Sequence, residues 1–214
     1  MLFEVFIKGL LMGLAVAAPV GPIGILCIRR TLADGRAAGL ATGMGAATAD
    51  GTYGLLVALG FAATGVLVTY ATPMAIGGGA LLMWLGAMSV RSFLRARASD
   101  VPVRPAPGHR TVLKSWATTF ALTMANPMTI LVFVGMIAGL GTAAAASPSA
   151  PFWLVLGVFL GSAIWWLFLV QLALMIRSRM TPALTRWFDL ASGGVLLVWG
   201  AWIALGALVD LSAG

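Results

Sequence analysis

Hydrophobic positions form six long runs along the chain, and polar positions gather in the short stretches between them. Each run is long enough to cross the roughly 30 Å hydrocarbon core of a bilayer as a helix. Only 9% of the 214 residues are charged, against roughly 25% in a soluble domain. The pattern predicts an all-α integral membrane protein with six transmembrane helices, at residues 3–28, 37–64, 74–93, 114–140, 151–176 and 184–209.

Basic residues mark one side of the predicted membrane. Twelve of the thirteen Lys and Arg residues lie in the loops after the first, third and fifth spans or at the span ends beside those loops: Arg29, Arg30, Arg36, Arg91, Arg95, Arg97, Arg104, Arg110, Lys114, Arg177, Arg179 and Arg186. The stretches 65–73 and 141–150 carry no charge. Because Lys and Arg accumulate in cytoplasmic loops, we expect both termini in the periplasm. This topology accounts for the net charge of +7, so no nucleic-acid partner is expected.

The two halves of the chain resemble each other. Residues 78–84 read Gly-Gly-Ala-Leu-Leu-Met-Trp and residues 193–199 read Gly-Gly-Val-Leu-Leu-Val-Trp, with five of seven positions identical. Because each half has three spans, the second half would be inserted upside down, as in many secondary transporters. The alternative is a chance match in a chain rich in Gly, Leu and Trp. We expect one transmembrane domain, 1–214, in which a first repeat (about 1–94) and a second repeat (about 114–214) flank a flexible cytoplasmic connector (about 95–113) that contains His109.

Two spans are interrupted by helix-breaking residues. Residues 18–24 read Ala-Pro-Val-Gly-Pro-Ile-Gly and residues 125–129 read Ala-Asn-Pro-Met-Thr. Proline removes a backbone donor and clashes with the preceding turn, and glycine loosens the backbone further. In lipid, such freed backbone groups are tolerated only where they face protein or a water-filled cavity. Breaks at corresponding positions of two halves indicate a transporter binding site. The alternative is that the prolines only kink the helices for packing.

These breaks supply most of the predicted substrate-binding residues, because the N-terminus of each following half-helix can bind an anion such as a carboxylate. The predicted substrate-binding residues at the breaks are Pro19, Gly21, Pro22, Asn126 and Pro127.

Asp50 is the only acidic residue deep within a span. An intramembrane carboxylate is costly unless it is paired or neutralised, which makes it a functional candidate. Burial favours its protonated form, so Asp50 is predicted either to carry a coupling proton or to pair with a substrate amine. The alternative is a protonated structural aspartate. Aligning Gly45 with Gly161 places Trp166 opposite Asp50 in the repeat, and Trp166 is predicted to line the site; packing is the alternative.

The remaining chemistry is sparse. Cys27 is the only cysteine, which excludes an internal disulfide or a two-thiol redox relay, and it is expected to pack in the core. No nucleophile–base pair is visible at depth, so we expect no enzyme activity, no cofactor and no metal site. The spacings Gly39/Gly43 and Gly157/Gly161 suit close helix packing, and such small-residue faces are compatible with a homodimer.

The run from Ala18 to Asp50, with Pro-Val-Gly-Pro-Ile-Gly and Gly-Ala-Ala-Thr-Ala-Asp, resembles the LysE superfamily of amino-acid exporters. Asn126-Pro127 and the Gly-x-Leu-Leu-x-Trp element of the sixth span resemble it too. The family motifs map onto Pro19, Gly21, Pro22, Asp50, Asn126 and Pro127. Many members have Asn-Pro-Lys in the fourth span, whereas Met128 stands here in place of the lysine, which leaves the substrate class open.

The resemblance implies a multi-pass exporter of amino acids or related small zwitterions in the bacterial inner membrane, driven by the proton-motive force. Its partners would be the small-molecule substrate and the lipid bilayer. One alternative is a divalent-metal exporter of the same superfamily, although metal transport requires several carboxylate, imidazole or thiolate ligands. Another alternative is a membrane assembly protein without transport activity.

Overall fold

A computed structural model describes residues 2–19, 21–59, 70–95, 109–126, 129, 133, 149–177 and 181–213. Within these ranges the regular secondary structure is helical, which confirms the all-α prediction. The helices are α1 (Leu2–Ala17), α2 (Pro22–Asp34), α3 (Arg36–Ala58), α4 (Ala71–Arg95), α5 (His109–Met124), α6 (Ala150–Arg177) and α7 (Pro182–Ala213).

Three of these helices are long and apolar enough to cross a membrane, through the stretches Thr72–Arg91, Ala150–Arg177 and Trp187–Val209. Helices α1 and α2 form a fourth candidate if they are taken as one bent span. Helix α3 has 23 residues and is about 34 Å long at 1.5 Å per residue, but its many Gly, Ala and Thr residues lower its hydropathy. The second half of the predicted fourth span lies outside the described residues apart from positions 129 and 133. Six spans and an inverted repeat therefore stay predictions.

Several helices extend beyond the predicted spans. Arg29 and Arg30 were expected in a loop, but both lie in α2, and His109 was expected in the connector but begins α5. Hydropathy marks the apolar part of a helix, whereas backbone hydrogen bonding continues into its polar ends. Residues 96–108 of the predicted connector lie outside the described residues. Gly35 forms the turn between α2 and α3 with φ +90°, a conformation that glycine adopts without steric cost.

Helices α1 and α6 pack closely through glycines on both sides. An added Cβ at Gly9 or Gly13 would collide with the backbone of α6, and one at Gly157 or Gly161 would collide with the backbone of α1. Small residues allow such close approach between membrane helices. The Gly157/Gly161 face is therefore used inside the chain and is not available to a second copy.

The other close helix pairs are α4 with α7, α3 with α5 and α3 with α6. In the first pair, added Cβ atoms at Gly79 and Gly200 would each lie 2.6 Å from the carbonyl oxygen of the other glycine. Helix α2 packs against α3, α5, α6 and α7, so it lies in the middle of the described helices. Leu26 and Cys27 of α2 are fully buried, and the prediction of Cys27 as a core residue is confirmed.

Candidate functional site

The first helix break separates α1 from α2, whose axes meet at 80°. Pro22 is the first residue of α2, where a missing amide hydrogen costs no helical hydrogen bond. Gly21 precedes it in an extended conformation and has no side chain to cap the helix. The amide of Ile25 donates to the Gly21 carbonyl, whereas those of Ile23 and Gly24 have no intrahelical acceptor. The break thus leaves a helix N-terminus with a partial positive charge and two amides that have no acceptor among the described residues.

A small cavity of about 80 Å³ lies at this N-terminus. Its wall brings together six of the seven residues predicted from the sequence as site residues: Pro19, Gly21, Pro22, Asp50, Asn126 and Trp166. The seventh, Pro127, lies outside the described residues, as does Met128. With Ala17 of α1 and Thr123 of α5, which also line it, residues from five helices contribute to one cavity, although they are far apart in sequence.

A larger cavity of about 310 Å³ adjoins the small one. The two share a common wall made of Val16, Pro19, Gly21, Pro22, Ile23, Asn126 and Thr129. The larger cavity extends away from Asp50 and Trp166, toward α4 and α7, where Leu82, Trp199 and Ile203 line it. Together the cavities reach the volume range of small-molecule sites, roughly 300–1,000 Å³.

Asp50 is 3% exposed and is held by a short chain of hydrogen bonds. The Ser162 hydroxyl donates to Asp50 Oδ2 at 2.6 Å, and the Trp166 indole N–H donates to Ser162 Oγ at 3.1 Å. Because the indole is a donor only, it leaves the serine proton for the carboxylate. Trp166 thus positions Ser162, and Ser162 positions the carboxylate of Asp50. Ser162 was not predicted as a site residue, although it lies one helical turn before Trp166 on the same face of α6.

Thr123 is a second site residue that sequence reasoning missed. It lines the small cavity and is 4% exposed, yet its hydroxyl has no hydrogen-bond partner within the described ranges. Other helical threonines, such as Thr42 and Thr119, donate to the carbonyl four residues earlier. A buried polar atom without a partner costs about 1–3 kcal/mol, so the Thr123 hydroxyl is available to a polar group in the cavity.

The end of α5 is fixed beside this cavity. The Tyr53 hydroxyl donates to the carbonyl of Met124, one of the last carbonyls of α5, which lack intrahelical donors. The backbone N–H of Asn126 donates to the Thr123 carbonyl at 3.2 Å. Tyr53 was not predicted as a residue of the candidate site. It lies three residues after Asp50 on α3, and this spacing, which places both residues on one face of the helix, could have indicated it.

The opposite end of α2 is anchored by two arginines. Arg29 Nε lies 2.8 Å from Asp189 Oδ1 in α7. Arg30 is 9% exposed, and its Nη1 donates to Thr42 Oγ1, Thr119 Oγ1 and the Ser115 carbonyl at 3.2, 3.0 and 2.9 Å. These contacts tie α2 to α3, α5 and α7, so its N-terminus is held in place at the cavities.

The site therefore combines an uncapped helix N-terminus, one carboxylate, a side-chain amide and a hydroxyl without a partner among the described residues, around a partly apolar space. Such groups can bind a small molecule that carries both charges. Among the described residues, no group of three or more His, Cys, Asp or Glu side chains is arranged to hold a metal ion.

Comparison with known proteins identifies the family of the chain. The family model described as LysE type translocator matches residues 14–206. The chain is 26% identical over 199 residues to the "Putative amino acid efflux protein YcgF" of Bacillus subtilis (strain 168), which covers 92% of this chain and 93% of that protein. No solved structure matches significantly. Because this match spans nearly the whole chain, the chain belongs to the LysE type translocator family.

Proposed function

We propose that this protein is a secondary exporter of amino acids or closely related small zwitterions, driven by proton exchange. One observation carries the proposal: the small cavity has the uncapped N-terminus of α2 and the carboxylate of Asp50 on its walls. An α-amino acid carries a carboxylate and an ammonium group within a few ångströms of each other. The site offers each of these groups a partner of opposite charge.

The carboxylate of the cargo would accept hydrogen bonds from the amides of Ile23 and Gly24, because helix N-termini bind anions without a basic side chain. The ammonium group would pair with Asp50. The Thr123 hydroxyl and the Asn126 side chain, which line the same cavity, would satisfy the remaining polar atoms. Membership of a translocator family and the efflux named for the Bacillus relative support transport out of the cell.

Proton coupling follows from the same aspartate. A buried carboxylate is costly as an unpaired anion, so Asp50 would be paired with an ammonium group when cargo is bound and protonated when it is not. Competition between proton and cargo for one carboxylate gives antiport. The Ser162 hydroxyl keeps the carboxylate oriented in either state.

The helix packing supports an inverted repeat within a single transmembrane domain. An inverted repeat would make α1 equivalent to α5, α3 to α6 and α4 to α7. The α1–α6 pair would then correspond to the α5–α3 pair, and the α3–α6 and α4–α7 pairs would each correspond to themselves. All four pairs pack closely. Gly45 faces α5 through Trp116, as Gly161 faces α1 through Leu10. We propose six spans in the bacterial inner membrane with both termini periplasmic. A homodimer would require a surface other than the Gly157/Gly161 face.

Transport into everted membrane vesicles tests this function, because export from the cell becomes uptake into an everted vesicle. Vesicles acidified inside should take up amino acids, and a protonophore should abolish the uptake. Asp50→Asn should reduce uptake by about two orders of magnitude or more, since an unpaired buried charge costs about 3–5 kcal/mol and about 1.4 kcal/mol is tenfold. The matched control is Glu4→Gln, the same chemical change on an exposed face of α1, which should transport normally.

Near-normal uptake by Asp50→Asn, at equal amounts of protein in the membrane, would remove Asp50 from the mechanism. It would favour the structural aspartate instead. Proton-dependent uptake of a divalent cation without uptake of any amino acid would favour the metal-exporter alternative.

A further inference from the structure

The two cavities at the break differ in chemistry. The residues that line only the small cavity include Asp50 and Thr123. The residues that line only the large cavity are Gly78, Gly79, Leu82, Leu122, Ala125, Trp199 and Ile203. None of these seven is ionisable, and the Trp199 indole is the only side-chain hydrogen-bond donor among them. Beyond the shared wall the large cavity is therefore apolar, whereas the small cavity has a carboxylate and a hydroxyl of its own, and the two cavities adjoin at the break.

We infer that the cargo is a neutral amino acid with a large apolar side chain, whose charged α-groups lie in the small cavity and whose side chain lies in the large one. This inference rests on the proposed function and specifies its substrate class. The volumes agree with this division, since about 80 Å³ suits the compact α-groups and about 310 Å³ admits a leucine-sized or aromatic side chain.

The unpaired hydroxyl of Thr123 fixes the orientation of the cargo. It is buried, it faces the small cavity and it has no partner among the described residues, so it favours a polar atom at that end. Leu122, the neighbouring residue of α5, lines the large cavity and is 2% exposed. Adjacent positions on one helix thus serve opposite ends of the same molecule.

The large cavity also disfavours charged side chains. A lysine or glutamate side chain would bring its charge among Leu82, Leu122 and Ile203, where these walls provide no counter-charge. Burying a charge without a partner is strongly unfavourable. A small side chain such as that of alanine would leave most of the apolar wall without contact. Size and charge therefore both favour leucine, isoleucine, methionine and phenylalanine.

Two tryptophans of α7 provide a matched pair of variants. Trp199 lines the large cavity, whereas Trp202 is 69% exposed and lines neither cavity. The two rings are neighbours, with their centroids 5.8 Å apart. The test measures uptake of labelled leucine, phenylalanine, alanine, lysine and glutamate into everted vesicles. Each amino acid is assayed with the wild-type protein, Trp199→Ala, Trp199→Phe and Trp202→Ala at matched membrane levels.

We expect leucine and phenylalanine to exceed alanine, lysine and glutamate by at least about tenfold in transport efficiency, because one methylene in an apolar pocket discriminates by about 10–200-fold. Trp199→Ala should lose at least about tenfold for the two large substrates. Trp202→Ala should transport like the wild type, and Trp199→Phe, which keeps an aromatic wall, should restore transport.

Preferential uptake of lysine, glutamate or alanine would overturn the inference and leave the proposed function intact. Equal transport of the large substrates by Trp199→Ala and the wild type would also overturn it. Failure to transport any amino acid would overturn the proposed function itself.

Discussion

The open N-terminus of α2 can be tested by giving Gly21 a side chain that caps the helix. Asp and Asn are among the best N-cap residues, because their side-chain oxygens accept hydrogen bonds from the amides two and three residues later. Here those amides belong to Ile23 and Gly24. No described heavy atom lies within 4 Å of a Cβ added at Gly21, and the backbone there is extended. Gly21→Asp should therefore fold normally while its own carboxylate occupies the proposed anion site.

The expected loss follows from the number of hydrogen bonds. Each bond between an amide and a carboxylate contributes about 1.5–3 kcal/mol, so two of them contribute about 3–6 kcal/mol. Because about 1.4 kcal/mol is tenfold, Gly21→Asp should lower transport efficiency by at least about a hundredfold. Asp at the N-cap satisfies the same amides within the folded protein, so the substitution should leave the variant at least as stable as the wild type. The variant should thus lose transport without losing stability.

The assay compares uptake into everted vesicles over a range of substrate concentrations with thermal unfolding of the purified variants in detergent. Gly21→Ala is the matched control, since it fills the same space without an acceptor and should retain most of the transport. Gly21→Asn should lie between the two, because its amide oxygen occupies one donor without adding charge. Wild-type transport by Gly21→Asp would refute the anion site. Equal damage from Gly21→Ala would show that space, rather than the free amides, matters at this position.

Two further predictions concern the second break and the topology. Asn126→Leu should lose uptake but still insert, because leucine has a similar size but cannot hydrogen-bond to cargo or to freed backbone groups; normal uptake would favour a break that serves packing alone. In a background with Cys27→Ala, an impermeant maleimide should label Ser147→Cys in intact spheroplasts and should not label Ser99→Cys. The opposite labelling pattern would contradict the proposed orientation and the inverted repeat.

Features encoded by neighbouring residues could be predicted from the sequence. The break at Gly21 and Pro22 follows from backbone chemistry that acts within one turn of helix, and the structure begins α2 at Pro22. Asp50 stood out because a carboxylate is rare in an apolar run. The repeat alignment related residues that are distant in sequence. It placed Trp166 opposite Asp50, and in the structure Ser162 connects the two side chains by hydrogen bonds.

Other residues acquire a role only through the packing of distant helices. Ser162 lies 112 positions from Asp50, and a serine in an apolar helix is ordinary until its partner is known. Thr123 is similar, because its significance comes from the hydrogen bond that it does not make. Arg30 was predicted in a loop because hydropathy ended the first span at residue 28. Its burial depends on Thr42 and Thr119, which supply acceptors from two other helices.

Helix α2 shows how the same sequence satisfies one end of a helix and leaves the other end free. At its C-terminal end, the Gly35 amide donates to the Thr31 carbonyl, and Arg29 and Arg30 bind groups on three neighbouring helices. At its N-terminal end, glycine provides no cap and proline provides no donor, so the amides of Ile23 and Gly24 lie at a cavity without an acceptor among the described residues. A helix end without partners is unfavourable when buried, and here the contacts of Arg29 and Arg30 with three neighbouring helices fix the position of α2. The binding energy of a cargo carboxylate would then be gained without first ordering the helix, which is the advantage of a preorganised site.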